Sequence, residues 1–159
     1  MMTRRCFEVA VAVGLLAALS VGTGEAIAMT ALPAASSHAV PVLGSKKFDT
    51  MPDAVGYGTA HPKRIFNGGD PSGDAYHLRW ASWGAAASLG HGKTYVFKPS
   101  GGYYKRPGRI ELKATRLGHC TAHGPLAYRH LHARVAGPGK SYGHWFRWSE
   151  VKNICHSHF

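Results

Sequence analysis

Arg109-Ile110-Glu111-Leu112-Lys113-Ala114-Thr115 alternates without interruption between polar and apolar residues. A repeat of two is that of an extended strand, whose side chains point to opposite faces in turn. Ile110, Leu112 and Ala114 are therefore expected to face a core, and Arg109, Glu111, Lys113 and Thr115 to face solvent. A helix would scatter the same residues around its axis.

Outward from this segment the pattern recurs. Ala75 to Trp83 sets Tyr76, Leu78 and Trp80 against His77, Arg79 and Ala81, and Lys93 to Lys98 sets Tyr95 and Phe97 against Thr94, Val96 and Lys98. Pro125 to Val135 places Ala127, Leu131, Ala133 and Val135 on one side and Tyr128, His130, His132 and Arg134 on the other. A last strand is expected near His144 to Trp148. The separators are turn formers: Asn67-Gly68-Gly69-Asp70-Pro71-Ser72-Gly73, Gly90-His91-Gly92, Pro99-Ser100-Gly101-Gly102, Pro107-Gly108 and Ala136-Gly137-Pro138-Gly139. Ala85 to Leu89 fits either a strand or one helical turn. The pattern predicts an all-β domain, a single compact antiparallel sandwich or partly open barrel of five or more strands. Leu78, Trp80, Ile110 and Leu112 are its clearest core members.

The chain's first 28 residues have the three zones of a secretory signal peptide: Arg4 and Arg5, the apolar run Val9 to Val21, and Ala26-Ile27-Ala28 before the cleavage point. The apolar run is shorter than the roughly 20 residues of a spanning helix, so no transmembrane anchor is expected. Cys6 precedes that run, which excludes a lipid-anchor site at the cleavage point. Residues 29–56, rich in Ala, Pro and Ser, are expected to be a flexible lead-in, residues 57–155 the β-rich domain and residues 156–159 a tail. Cleavage leaves Cys120 and Cys155 in an oxidising, extracellular setting, where a disulfide between them would close a loop of about 36 residues and contribute roughly 3 to 4 kcal/mol. The rival reading is a pair of metal-binding thiols.

Of 159 residues, 19 are Lys or Arg and 8 are Asp or Glu, a net charge of +11 that cleavage leaves unchanged. From Tyr57 onward the carboxylates are Asp70, Asp74, Glu111 and Glu150. A paired-carboxylate hydrolase needs two of them across one cleft, and Asp70 and Asp74 fit turn-shaping better. There is no Gly-x-Ser-x-Gly elbow, a disulfide would consume both cysteines, and Ser82 is expected to pack within a strand. No catalytic residue and no cofactor is assigned.

Among 11 histidines, His130 and His132 lie two apart on one strand face, and with His119 or His123 they form a candidate zinc or copper set. Arg129 and Arg134 beside them oppose a cation. The alternative is a basic surface that gains charge as the histidines protonate in acid, near pH 6.5. Lys105, Arg106, Arg109, Lys113, Arg129, His130, His132 and Arg134 are expected to form a face for an anionic polymer of the cell envelope, such as an acidic polysaccharide. No recognised nucleic-acid motif is present. The expectation is a secreted, non-enzymatic binding or structural protein; the alternative is a small extracellular enzyme, inhibitor or His-based metal-binding protein.

Gly56-Tyr57-Gly58-Thr59-Ala60, Asn67-Gly68-Gly69-Asp70-Pro71-Ser72-Gly73, Trp80-Ala81-Ser82-Trp83-Gly84, Gly101-Gly102-Tyr103-Tyr104 and the closing Trp145 to Cys155 together resemble a family of small secreted proteins of unassigned function from high-GC Gram-positive bacteria. The likeness spans Tyr57 to Cys155. It implies export, one β-rich domain and a paired cysteine, and carries no catalytic residues.

Overall fold

The computed structural model describes residues 39–48 and 53–156; the expected signal peptide, the start of the lead-in and the last three residues lie outside these. Among the described residues, seven strands form one curled half-barrel: β1 (Val42–Leu43), β2 (Arg64–Phe66), β3 (Asp74–Ala81), β4 (Ala87–Thr94), β5 (Gly108–His119), β6 (Leu126–Ala136) and β7 (Phe146–Arg147). A single 3-10 turn, Pro71–Gly73, precedes β3. The order across the sheet is β1-β6-β5-β4-β3-β2, and β7 also pairs with β6. Neighbours are antiparallel except β1 and β6, which run parallel through Val42–Ala127 and Leu43–Tyr128. The expected all-β, partly open barrel is thus present, and its sheet is mixed through this one parallel pair where an antiparallel one was expected.

β5 is the strand that its alternation predicts, with Ile110, Leu112 and Ala114 fully buried. Around them pack Leu43, Ile65, Leu78, Tyr128, Leu131, Trp148 and Ile154. The outer edge of β6 is shared, with β1 pairing at Ala127 and Tyr128 and β7 at His132 and Ala133. Beyond β7, Trp148 N–H donates to Leu131 O (3.0 Å) and Ile154 N–H to Arg129 O (2.9 Å). That docking carries Cys155 to the end of β5, where it forms the disulfide with Cys120, Cα to Cα 5.1 Å.

Four expectations are corrected. First, the lead-in is part of the fold from Val42 to Phe48: Leu43 is fully buried and Phe48 nearly so. Its backbone also ties to the next segment, since Leu43 N–H donates to Thr59 O (2.9 Å) and Gly58 N–H to Leu43 O (2.7 Å). Two strand residues are too few to show any period.

Second, Gly90-His91-Gly92 is the middle of β4 and not a turn, so the strand expected at Lys93 begins at Ala87 and ends at Thr94. The glycines occupy the inner face because larger residues fill the space above them. A Cβ at Gly90 would lie 2.9 Å from the Trp80 ring, and one at Gly92 would lie 2.7 Å from Leu78 Cδ2.

Third, Tyr76 does not share a face with Leu78 and Trp80. His77 has φ +53 and the β3–β4 register shifts between Tyr76 and Arg79. This bulge adds a residue, so Ala75 and Leu78 turn inward and Tyr76 outward. Ser82, expected to pack in a strand, is exposed in the following turn with φ +57.

Fourth, Tyr128 is fully buried and not on the polar side of β6. Its partner across the ladder is Leu117, and next to that pair the register is kept but Arg116, with φ +62, and Arg129 do not pair. The Tyr128 ring packs edge-on to Trp83 at 5.0 Å. Its hydroxyl accepts from Gly84 N–H (2.8 Å) and donates to Ala85 O (2.7 Å), and its pKa is raised by burial.

Candidate polyanion-binding face

In an antiparallel sheet, directly paired residues project to the same side, so the register assigns the outer face row by row. One row runs Arg64, Tyr76, Lys93, Arg109 across β2 to β5. The next runs Arg79, His91, Glu111, Arg134 across β3 to β6. A third runs Ala81, Leu89, Lys113, His132, Arg147 across β3 to β7. The last holds Ala87, Thr115 and His130. Alternation explains this face: the inner residues of β5 and β6 are apolar, which leaves their charged neighbours outside.

Of the expected polyanion-binding residues, the structure brings Arg109, Lys113, His130, His132 and Arg134 onto this one face. Lys105 and Arg106 are exposed just before β5. Arg129 is half-buried against Gly118, with its Nε donating to Arg116 O at 3.4 Å. Arg79, Lys93 and Arg147 also belong to the face but were not among the expected residues. Arg79 lies beyond the bulge, Lys93 follows glycines that read as a turn, and Arg147 sits in a two-residue strand.

The single carboxylate in these rows is Glu111, and it is already engaged. Arg134 Nε donates to its Oε2, and His91 Nδ1 lies 3.4 Å from Oε1. The Arg134 guanidinium is further held over the Tyr142 ring (5.0 Å) and the Trp145 ring (4.9 Å). The Arg109 guanidinium also lies over the Tyr142 ring at 5.0 Å and donates to Lys140 O at 2.9 Å. Arg64 makes a two-pronged pair with Asp74, 2.8 and 2.9 Å, which raises the Arg64 pKa. Arg79, Lys93, Lys113 and Arg147 take part in no ion pair among the described residues.

The histidines differ in character. Burial, and then the nearby charges of Arg116, His132, Arg129 and Lys152, lower the His130 pKa. His130 thus charges below the usual imidazole range, a correction to the expectation that it titrates near pH 6.5. His119 sits at the end of β5 with Nδ1 2.7 Å from Gly124 O, and His123 is exposed in the adjoining turn. Among the described residues, no group of three His, Cys, Asp or Glu side chains is placed to hold a metal ion. The rival reading of Cys120 and Cys155 as metal-binding thiols is overturned by their disulfide.

Two further carboxylates, Asp70 and Asp74, have structural partners. Asp70 caps the Pro71–Gly73 turn: its Oδ1 accepts from Ser72 Oγ (2.5 Å), the Tyr103 hydroxyl and Ser72 N–H (2.8 Å), which together lower its pKa. Asp74 is held by Arg64. A cavity of about 270 Å³ is lined by Lys46, Ala54, Val55, Gly56 and Tyr57, and none of these side chains is a carboxylate, thiol or imidazole. No protein-family model, curated protein or solved structure matches the chain.

Proposed function

We propose that this protein is an exported binding module whose outer sheet face holds an anionic polymer of the cell envelope. The observation that carries the reading is the set of four cations, Arg79, Lys93, Lys113 and Arg147, spread over β3, β4, β5 and β7 with Glu111 as the one carboxylate among them. A rigid sheet fixes their spacing, so a polymer with regularly repeated charges meets several at once, and each contact adds to an attachment already made. The Cys120–Cys155 disulfide supports an oxidising compartment. Export itself rests on the amino-terminal pattern of Arg4, Arg5, Val9 to Val21 and Ala26-Ile27-Ala28, and the resemblance to small secreted proteins points the same way.

Binding through such a face is electrostatic and screened by salt, with a Debye length of about 10 Å at 0.1 M and about 3 Å at 1 M. Titration of the folded chain with polygalacturonate and with poly-L-glutamate is expected to give affinities that collapse between those two conditions. Affinity that is unchanged by salt, or absent at low salt for both polymers, would refute the reading.

A further inference from the structure

The outer face carries a second feature that charge alone does not explain, a continuous set of rings at its β3–β4 end, Tyr95 and Phe97 exposed and Tyr76 and Tyr103 half-buried. Tyr76 contacts Tyr95 at 5.6 Å between centroids, Tyr95 contacts Tyr103 at 6.4 Å, and Tyr103 contacts Phe97 at 5.1 Å. Phe97 is 57% exposed and Tyr95 41%. The bulge at His77 turns Tyr76 outward, and Tyr95 follows the buried Thr94 by one residue, which places both on the Lys93 side of the sheet. The turn holding Tyr103 is fixed to the same end. Lys98 N–H donates to Gly102 O (2.8 Å), Tyr104 N–H donates to Val96 O (3.0 Å), and Phe97 bridges Tyr103.

Large apolar rings left in water in mutual contact are costly to a protein that has no use for them. We infer that Tyr76, Tyr95, Phe97 and Tyr103 form a stacking platform for the sugar rings of an acidic polysaccharide, whose carboxylates meet Lys93 and the neighbouring Arg109. The inference rests on the polyanion reading and names its ligand class. Apolar C–H faces of pyranose rings suit flat aromatic faces, while sugar hydroxyls need acceptors at the rim. Asp70 supplies one: its carboxylate lies beside the Tyr103 hydroxyl. A DNA phosphodiester backbone has no hydroxyl to donate to that carboxylate, whereas each pyranose ring has, which favours sugar over single-stranded DNA as the occupant. Charge complementarity does the rest, because Lys93 and Arg109 are cross-strand neighbours in the row that contains Tyr76.

The test compares polygalacturonate, poly-L-glutamate and an oligothymidylate on the folded chain and on Tyr95→Ala/Phe97→Ala. On the scale of ring stacking in single-strand recognition, the platform is expected to favour polygalacturonate over poly-L-glutamate by about tenfold. The double variant should lose that preference while its affinity for poly-L-glutamate stays unchanged. If its thermal midpoint falls, Phe97→Ser alone carries the comparison at the 57% exposed ring. Equal affinity for the two carboxylate polymers, or a preference that survives loss of the rings, would overturn the platform and leave the basic face standing. Ring-dependent binding of oligothymidylate above polygalacturonate would overturn the sugar assignment. Ring-dependent binding of polygalacturonate that ignores salt would overturn the electrostatic reading alone, and no binding of either carboxylate polymer would overturn both.

Discussion

Replacing Gly90 with Ala tests why a Gly-x-Gly stretch forms the middle of a strand. The added Cβ would stand 2.9 Å from Trp80 Cε3 and 3.0 Å from Cδ2 and Cζ3. Trp80 has little freedom to withdraw: its Nε1 donates to Pro62 O at 2.8 Å, and its ring lies edge-on to Trp83 at 4.8 Å. Overpacking of this kind costs about 1 to 3 kcal/mol. Alanine's lower backbone entropy in a strand offsets about 0.5 to 1 kcal/mol. At the middle of those ranges the net expectation is a loss of about 1 kcal/mol, or about 4 to 8 °C in thermal midpoint. Urea unfolding followed by tryptophan fluorescence measures it. In a Trp80→Leu background the obstructing ring is gone, and the same substitution should be neutral or stabilising by about 0.5 kcal/mol. Equal destabilisation in both backgrounds, or none in the parent, would refute the close approach of Trp80 to β4.

Three further outcomes follow from the same geometry. Replacing Cys120 and Cys155 with Ser should cost about 3 to 4 kcal/mol by the loop-closure argument, read from thermal melts, and a loss under 1 kcal/mol would contradict it. Tyr128→Phe strands the Gly84 N–H and the Ala85 carbonyl and should cost about 1 to 3 kcal/mol; urea midpoints decide whether those bonds matter. For His130, burial and the charges of Arg116, His132, Arg129 and Lys152 hold the folded pKa below the unfolded value. The unfolded chain therefore binds the proton first, so the neutral-His130 contribution is complete above about pH 6.5 and is lost as pH falls toward the lower folded value. His130→Gln should flatten that acid-side slope, and identical slopes in parent and variant would show that His130 is not its source.

How far the fold was legible depended on whether a local rule met a tertiary exception. β5 obeyed its period because both neighbours, β4 and β6, pair with it in one unbroken register. The cysteine pairing followed from there being two cysteines after the expected cleavage point. The glycines of β4 misled because their reason lies in Trp80 and Leu78 on another strand, and Tyr76 changed sides through one residue of positive φ at His77. The charged positions on β5 and β6 were readable from alternation. Their companions Arg79, Lys93 and Arg147 were not, since membership of the face is a matter of cross-strand register. The engagement of Arg134 by Glu111, Tyr142 and Trp145 was equally hidden, because those groups arrive from β5 and from the segment after β6.

The central claim is that the sheet face, and not net charge alone, binds the polyanion. Two variants of equal net charge separate these: Lys93→Gln/Lys113→Gln/Arg147→Gln removes three cations from the rows, and Lys46→Gln/Lys47→Gln/Lys63→Gln removes three outside them. The measurement is the slope of log affinity for polygalacturonate against log salt concentration. The face variant should lose about 2 to 3 from the magnitude of that slope, by analogy with counterion release from nucleic acids. The second variant should stay close to the parent, whereas equal losses in the two variants would contradict the account.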